Sequence, residues 1–126
     1  MPTPIVTIGT NRSTASGYIA GLTQTSAADL TYTTTNAFYL ESVMMHSSAV
    51  SSGTNDYFKV ILDSADGSDY DTTMLQTDME LLEETDLVYQ PDLPFLCKGN
   101  DTIQITYANT TSGGVYWAIR IITRAA

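Results

Sequence analysis

The sequence predicts an all-β protein: an antiparallel β-sandwich, jelly-roll-like, preceded by an extended N-terminal segment. Composition points there first, because 20 Thr and 11 Ser stand among 126 residues together with 8 Tyr. Threonine is β-branched and suits a pleated, half-buried face, tyrosine shares that preference, and serine populates turns. The second observation is period-two alternation of apolar and polar residues in several short runs. The third is their spacing, roughly every 8–15 residues, with Gly, Asn, Asp and Ser turns between them. A hydrophobic content of 43% is enough for a packed core.

Taken in order, residues 1–36 read as an N-terminal extended segment, an arm or edge strand, and residues 37–126 as the sandwich domain. Pro2 and Pro4 flank a small apolar alternation, Ile5, Val6 and Ile8. Prolines there keep the chain extended and remove backbone donors. Pro4, Ile5, Val6 and Ile8 are therefore candidates for an arm that adds a strand to a neighbour's sheet. In AFYLESVMMHSS, residues 37–48, simple alternation puts Phe38, Leu40 and Met44 on one face and Tyr39, Glu41, Val43 and Met45 on the other. A Ser-Gly-Thr-Asn turn leads into residues 56–64, where Phe58, Val60 and Leu62 oppose Tyr57, Lys59, Ile61 and Asp63. An acidic loop follows at 63–71. Residues 72–90 read as an irregular edge strand, with a helical turn over 78–84 as the alternative. Past Pro91 and Pro94 comes a Lys-Gly-Asn-Asp turn and a strand whose Ile103, Ile105 and Tyr107 alternate with Thr102, Gln104 and Thr106. The turn NTTSGG precedes a last strand over 115–123, with Val115, Trp117, Ile119 and Ile121 on one face.

Charge excludes whole classes of partner. The formal balance is −9 with only five Lys or Arg. Neither nucleic acid nor an anionic membrane surface is an expected partner, since both need a basic face. Residues 56–101 hold 12 of the 14 carboxylates, whereas residues 102–126 carry Arg120 and Arg124 and no acid. The single cysteine rules out an internal disulfide and fits synthesis in a reducing cytoplasm. No run approaches the ~18 apolar residues of a membrane span, and no signal-peptide pattern opens the chain.

The sharpest polar cluster is DSADGSDYD, where Asp63, Asp66, Asp69 and Asp71 surround Gly67. Calcium takes six to eight oxygens, which makes these four residues calcium candidates. Their spacing is not that of an EF-hand, and a solvated turn is the default; no other cofactor is expected. His46 lacks a visible catalytic partner, and no Gly-x-Ser-x-Gly elbow is present. Cys97 reads as a small buried hydrophobe. Glu83 and Glu84 would face opposite ways on a strand, which denies them a common cleft. Trp117 and Tyr116 are a possible sugar-stacking pair, but they too alternate, and Trp117 shares its face with Val115 and Ile119. Asn11, Asn100 and Asn109 open Asn-x-Ser/Thr triplets, unsurprising in a chain so rich in Ser and Thr. No enzyme emerges from these comparisons.

The runs LDSADGSDYDT and TDLVYQPDLPFLCKGNDTIQITYAN, with the closing aromatic strand, resemble small virion structural proteins of tailed bacteriophages. The resemblance spans residues 37–123. It implies a compact β-sandwich, often a jelly roll, acting as a capsid decoration or cement protein. A homotrimer would contact the major capsid protein or other virion proteins at the capsid surface, after synthesis in the host cytoplasm. The alternative expectation is a carbohydrate-binding or fibre- or tail-associated β-sandwich module.

Overall fold

Alternating side chains commit a strand to bury one face, and two sheets that bury those faces against each other make a sandwich. The computed structural model describes the backbone of residues 5–8, 11–13, 18–20 and 26–126, with side chains from residue 26 onward. Its strands are β1 (Ile5–Ile8), β2 (Asn11–Ser13), β3 (Tyr18–Ala20), β4 (Ala28–Thr33), β5 (Phe38–Ser47), β6 (Tyr57–Asp63), β7 (Thr72–Asp78), β8 (Asp86–Tyr89), β9 (Phe95–Cys97), β10 (Thr102–Tyr107) and β11 (Trp117–Ala125). All pairings are antiparallel. One sheet runs β2-β1-β4-β10-β6-β7; the other runs β3-β11-β5-β8, with β9 also paired to β5. From β4 onward the chain passes repeatedly between the two sheets, the jelly-roll-like winding expected. No helix among the described residues is long and apolar enough to cross a membrane.

The core fills the space between the sheets. Leu30, Tyr32, Phe58, Val60, Ile103, Ile105 and Tyr107 come from the first sheet; Phe38, Leu40, Val43, Met45, Trp117, Ile119 and Ile121 come from the second. Each fully buried large apolar side chain contributes ~1.5–3 kcal/mol against exposure, so the last two strands carry a large share; they are not the hairpin that their short connecting turn suggests, because β10 lies in the first sheet and β11 in the second. Polar contacts span the layers as well. The Thr123 hydroxyl donates to Tyr32 Oη at 2.8 Å. The Tyr32 ring meets Phe38 edge-on, with centroids 5.0 Å apart.

Four details add to or depart from the simple sequence reading. Strand β4 falls inside the segment assigned to an arm or edge strand, yet it lies between β1 and β10 and puts Leu30 and Tyr32 into the core. Ile5, Val6 and Ile8 lie in β1, which pairs with β2 on one side and β4 on the other within this chain; Pro4 lies outside the described residues. A helical turn, α1 (Met79–Leu82), does form. Asp78 caps it by accepting from Glu80 N at 3.1 Å, and Glu83 closes it in the left-handed region at φ 57. Finally, β5 does not alternate uniformly. Ile122 pairs with Ser42 but Thr123 pairs with Leu40, so Glu41 is an extra residue in the ladder. This bulge resets the phase: Phe38 and Leu40 are buried before it, and Val43, Met45 and Ser47 after it. Met44, expected to share the face of Phe38 and Leu40, points outward and is 38% exposed.

Candidate functional site

The outer face of the second sheet takes its content from that phase reset. With Val43, Met45, Ser47, Trp117, Ile119 and Ile121 committed to the core, the intervening Met44, His46, Ala118 and Arg120 face outward. Register then fixes the neighbours. His46 lies opposite Ala118 on one side and Asp86 on the other, and Met44 lies opposite Arg120 and Val88. Ala118 is the smallest member of this grid, on a central strand, and larger side chains rise around it. A cleft of ≈ 300 Å³ results, framed by Met44, His46, Asp86, Val88, Ala118 and Arg120.

Its polar wall is ordered. His46 Nδ1 lies 2.6 Å from Asp86 Oδ1, and the Thr85 hydroxyl donates to Asp86 Oδ2 at 3.1 Å. The hydrogen bond from His46, reinforced by Thr85, holds the Asp86 carboxyl below its ordinary range. Tyr116, 55% exposed, stands just before β11. Its backbone is locked to Ser48, whose N–H donates to the Tyr116 carbonyl at 2.8 Å and whose Oγ accepts from the Tyr116 N–H at 3.0 Å. An imidazole–carboxylate pair, a guanidinium and the apolar flanks of Met44 and Val88 can hydrogen-bond a small polar ligand while covering its apolar side.

The residues singled out by sequence are placed as follows. Asp66 binds Lys98 Nζ at 2.8 and 2.9 Å, and Asp71 accepts from Ser64 N at 2.8 Å. Asp69 lies in a single 3-10 turn, and Asp63 ends β6. Among the described residues no group of three or more His, Cys, Asp or Glu side chains is arranged to hold a metal ion. Cys97 is buried, and burial, with the Asp101 charge, pushes its thiol up to about 12. Trp117 is buried and donates its indole N–H to the Ser26 carbonyl at 2.8 Å, so it belongs to the core and not to a sugar platform. Asn109 is buried, with its amide spent on Ser26 and Val115.

Two buried carboxylates escaped the sequence reading. Asp56 is fully buried and accepts from Ser51 Oγ, from Tyr107 Oη at 2.7 Å and from Thr110 N at 2.7 Å. Burial pushes its carboxyl up, but the hydrogen bonds from Ser51, Tyr107 and Thr110 outweigh it, and the net displacement is downward. Asp101, also buried, accepts from Ala65 N and Lys98 N, both at 2.8 Å. The signal was available: Asp56 is in phase with Phe58 and Val60, and Asp101 with Ile103 and Ile105. An acid on the core phase of a strand has to be hydrogen-bonded.

No family model matches the chain, and no curated protein matches it either. Among solved structures, the chain is similar to the family 32 carbohydrate-binding module from C. perfringens NanJ, determined in complex with galactose. The likeness covers 98% of this chain and 100% of that one, with a TM-score of 0.50 at 12% sequence identity. At that identity it supports the β-sandwich fold.

Proposed function

We propose that the protein is a carbohydrate-binding β-sandwich module that uses the cleft on the outer face of its second sheet. The observation carrying this reading is the cleft itself: the ordered His46–Asp86 pair and Arg120 beside the apolar Met44 and Val88, opened by the small Ala118. Sugars present hydroxyls around apolar C–H patches, and such a mixture of planar polar groups and apolar flanks suits them. The likeness to a module solved with galactose supports the same reading. A glycan array followed by titration calorimetry tests it. Ala118→Phe fills the cleft from outside the core, so binding is expected to vanish with the thermal midpoint nearly unchanged. No binding across a broad panel, or binding indifferent to Ala118→Phe, overturns it.

A second reading is favoured by a different observation. Leu93, Phe95 and Leu96 are exposed around β9, beside the exposed Val88 of β8, along one edge of the second sheet. Exposed apolar residues on a sheet edge suit contact with another chain. The virion reading, a homotrimer of the capsid decoration type seated on coat subunits, would use such an edge. Native mass by light scattering tests it: a trimer supports this reading, and a strict monomer that ignores assembled shells overturns it.

A further inference from the structure

We infer that the cleft selects a carboxylate-bearing sugar, of the hexuronate class, and that His46 makes its capture depend on pH. The inference rests on the carbohydrate-binding reading of the cleft and adds a ligand class and a control to it.

The register supplies the geometry. His46 is opposite Ala118, and Arg120 is two residues further along β11, so His46 and Arg120 are diagonal neighbours across one strand pair. Diagonal positions lie about 7–8 Å apart, within reach of long side chains. A carboxylate lying over Ala118 therefore meets the guanidinium on one side and the imidazole on the other. A guanidinium has five donors in a planar fork, so it grips a carboxylate while keeping other partners.

Asp86 sets the chemistry of the histidine. An ionised carboxylate only accepts, so the ring nitrogen 2.6 Å from Asp86 Oδ1, Nδ1, carries a hydrogen. The role of the ring's other nitrogen, Nε2, follows the protonation state of the ring. In the neutral ring it accepts and opposes a carboxylate; in the imidazolium it donates and attracts one. Asp86 already accepts from His46 on one oxygen and from Thr85 on the other. The charged groups that register sets beside His46 are Asp86 on β8 and, diagonally, Arg120 on β11; the exposed Glu83 and Glu84 precede β8 in the chain, and the exposed Tyr116 precedes β11. Histidine is the side chain that ordinarily changes charge between pH 5 and 8, whereas a uronate carboxyl stays ionised throughout that range.

The test is calorimetric titration of methyl galacturonate and methyl galactoside at pH 5.5 and pH 8.0. The galacturonate is expected to bind about five- to tenfold more tightly at pH 5.5, with the galactoside little affected. His46→Gln should abolish the pH dependence, and Arg120→Gln should weaken the galacturonate about tenfold while sparing the galactoside. Equal affinity for the two sugars at both pH values, or a preference for the galactoside, overturns the inference and leaves the carbohydrate-binding reading standing. Failure of every saccharide in a broad panel overturns both.

Discussion

Replacing Asp56 by alanine removes a fully buried carboxylate and strands the donors it serves, Ser51 Oγ, Tyr107 Oη and Thr110 N. A hydrogen bond to a charged group contributes ~1.5–3 kcal/mol, and each buried donor left alone costs about 1–3 kcal/mol. Relaxation and water entry return part of this, which leaves an expected loss of roughly 3–5 kcal/mol, a large share of a typical domain's ~5–15 kcal/mol. For a chain of this size that is a drop in the thermal midpoint of roughly 10–20 °C. Asp56→Asn keeps the shape and one acceptor oxygen and should lose about half as much; Tyr107→Phe should lose ~1–2 kcal/mol. Urea unfolding of the three variants and the Asp56→Ala/Tyr107→Phe double variant measures the coupling directly. The pH dependence has a definite sign. Because the folded Asp56 carboxyl is depressed, its stabilisation is present above the unfolded value of about 3.9 and is lost as pH falls through the folded value. That acid-side loss should be smaller in Asp56→Asn. A cost below about 1 kcal/mol for Asp56→Ala, with an unchanged denaturant slope, would refute the reasoning.

Other substitutions probe separate features. Thr34 Oγ1 is buried without a hydrogen-bond partner among the described residues, so Thr34→Val should leave stability unchanged or raise it by ~1 kcal/mol in urea unfolding. A Cβ at Gly53 would stand 2.1 Å from Thr110 Oγ1 and 2.4 Å from the Thr110 carbonyl carbon; Gly53→Ala should therefore lower the thermal midpoint, by several degrees or more. Cys97, buried and with its thiol raised to about 12, should resist a thiol reagent until the protein unfolds, giving a labelling rate that tracks global opening. Trp117 fluorescence should be blue-shifted and indifferent to sugars, whereas denaturant should shift it red.

Period-two alternation sufficed for β6, β10 and β11, because each runs without interruption between a core phase and a polar phase; β10 matches Thr102–Tyr107 as expected. It failed at β5 because one extra residue, Glu41, reverses the phase and nothing local distinguishes a bulge from regular pleating. The candidate site depended on that failure. Reading Met44 inward and Val43 and Met45 outward hides the outer grid, and the partner of His46 is 40 residues away, fixed only by strand register. The helical turn at Met79–Leu82 is hard to read from sequence, because its capping rests on a side-chain contact within a run that otherwise reads as extended.

Strand β5 is ten residues long, and one of its edges is shared end to end by β8 and β9 rather than covered by a single partner. Pro91 and Pro94 lie in the gap between the two short strands. The outer rim of this sheet is therefore broken by positions that lack a backbone donor, and an incoming strand finds no continuous ladder to extend. Fibre-like growth by edge addition is disfavoured along this rim, even though apolar side chains are displayed there. Any chain that settles on it makes contact through Leu93, Phe95 and Leu96, so its affinity is set by side-chain fit and stays tunable by point mutation.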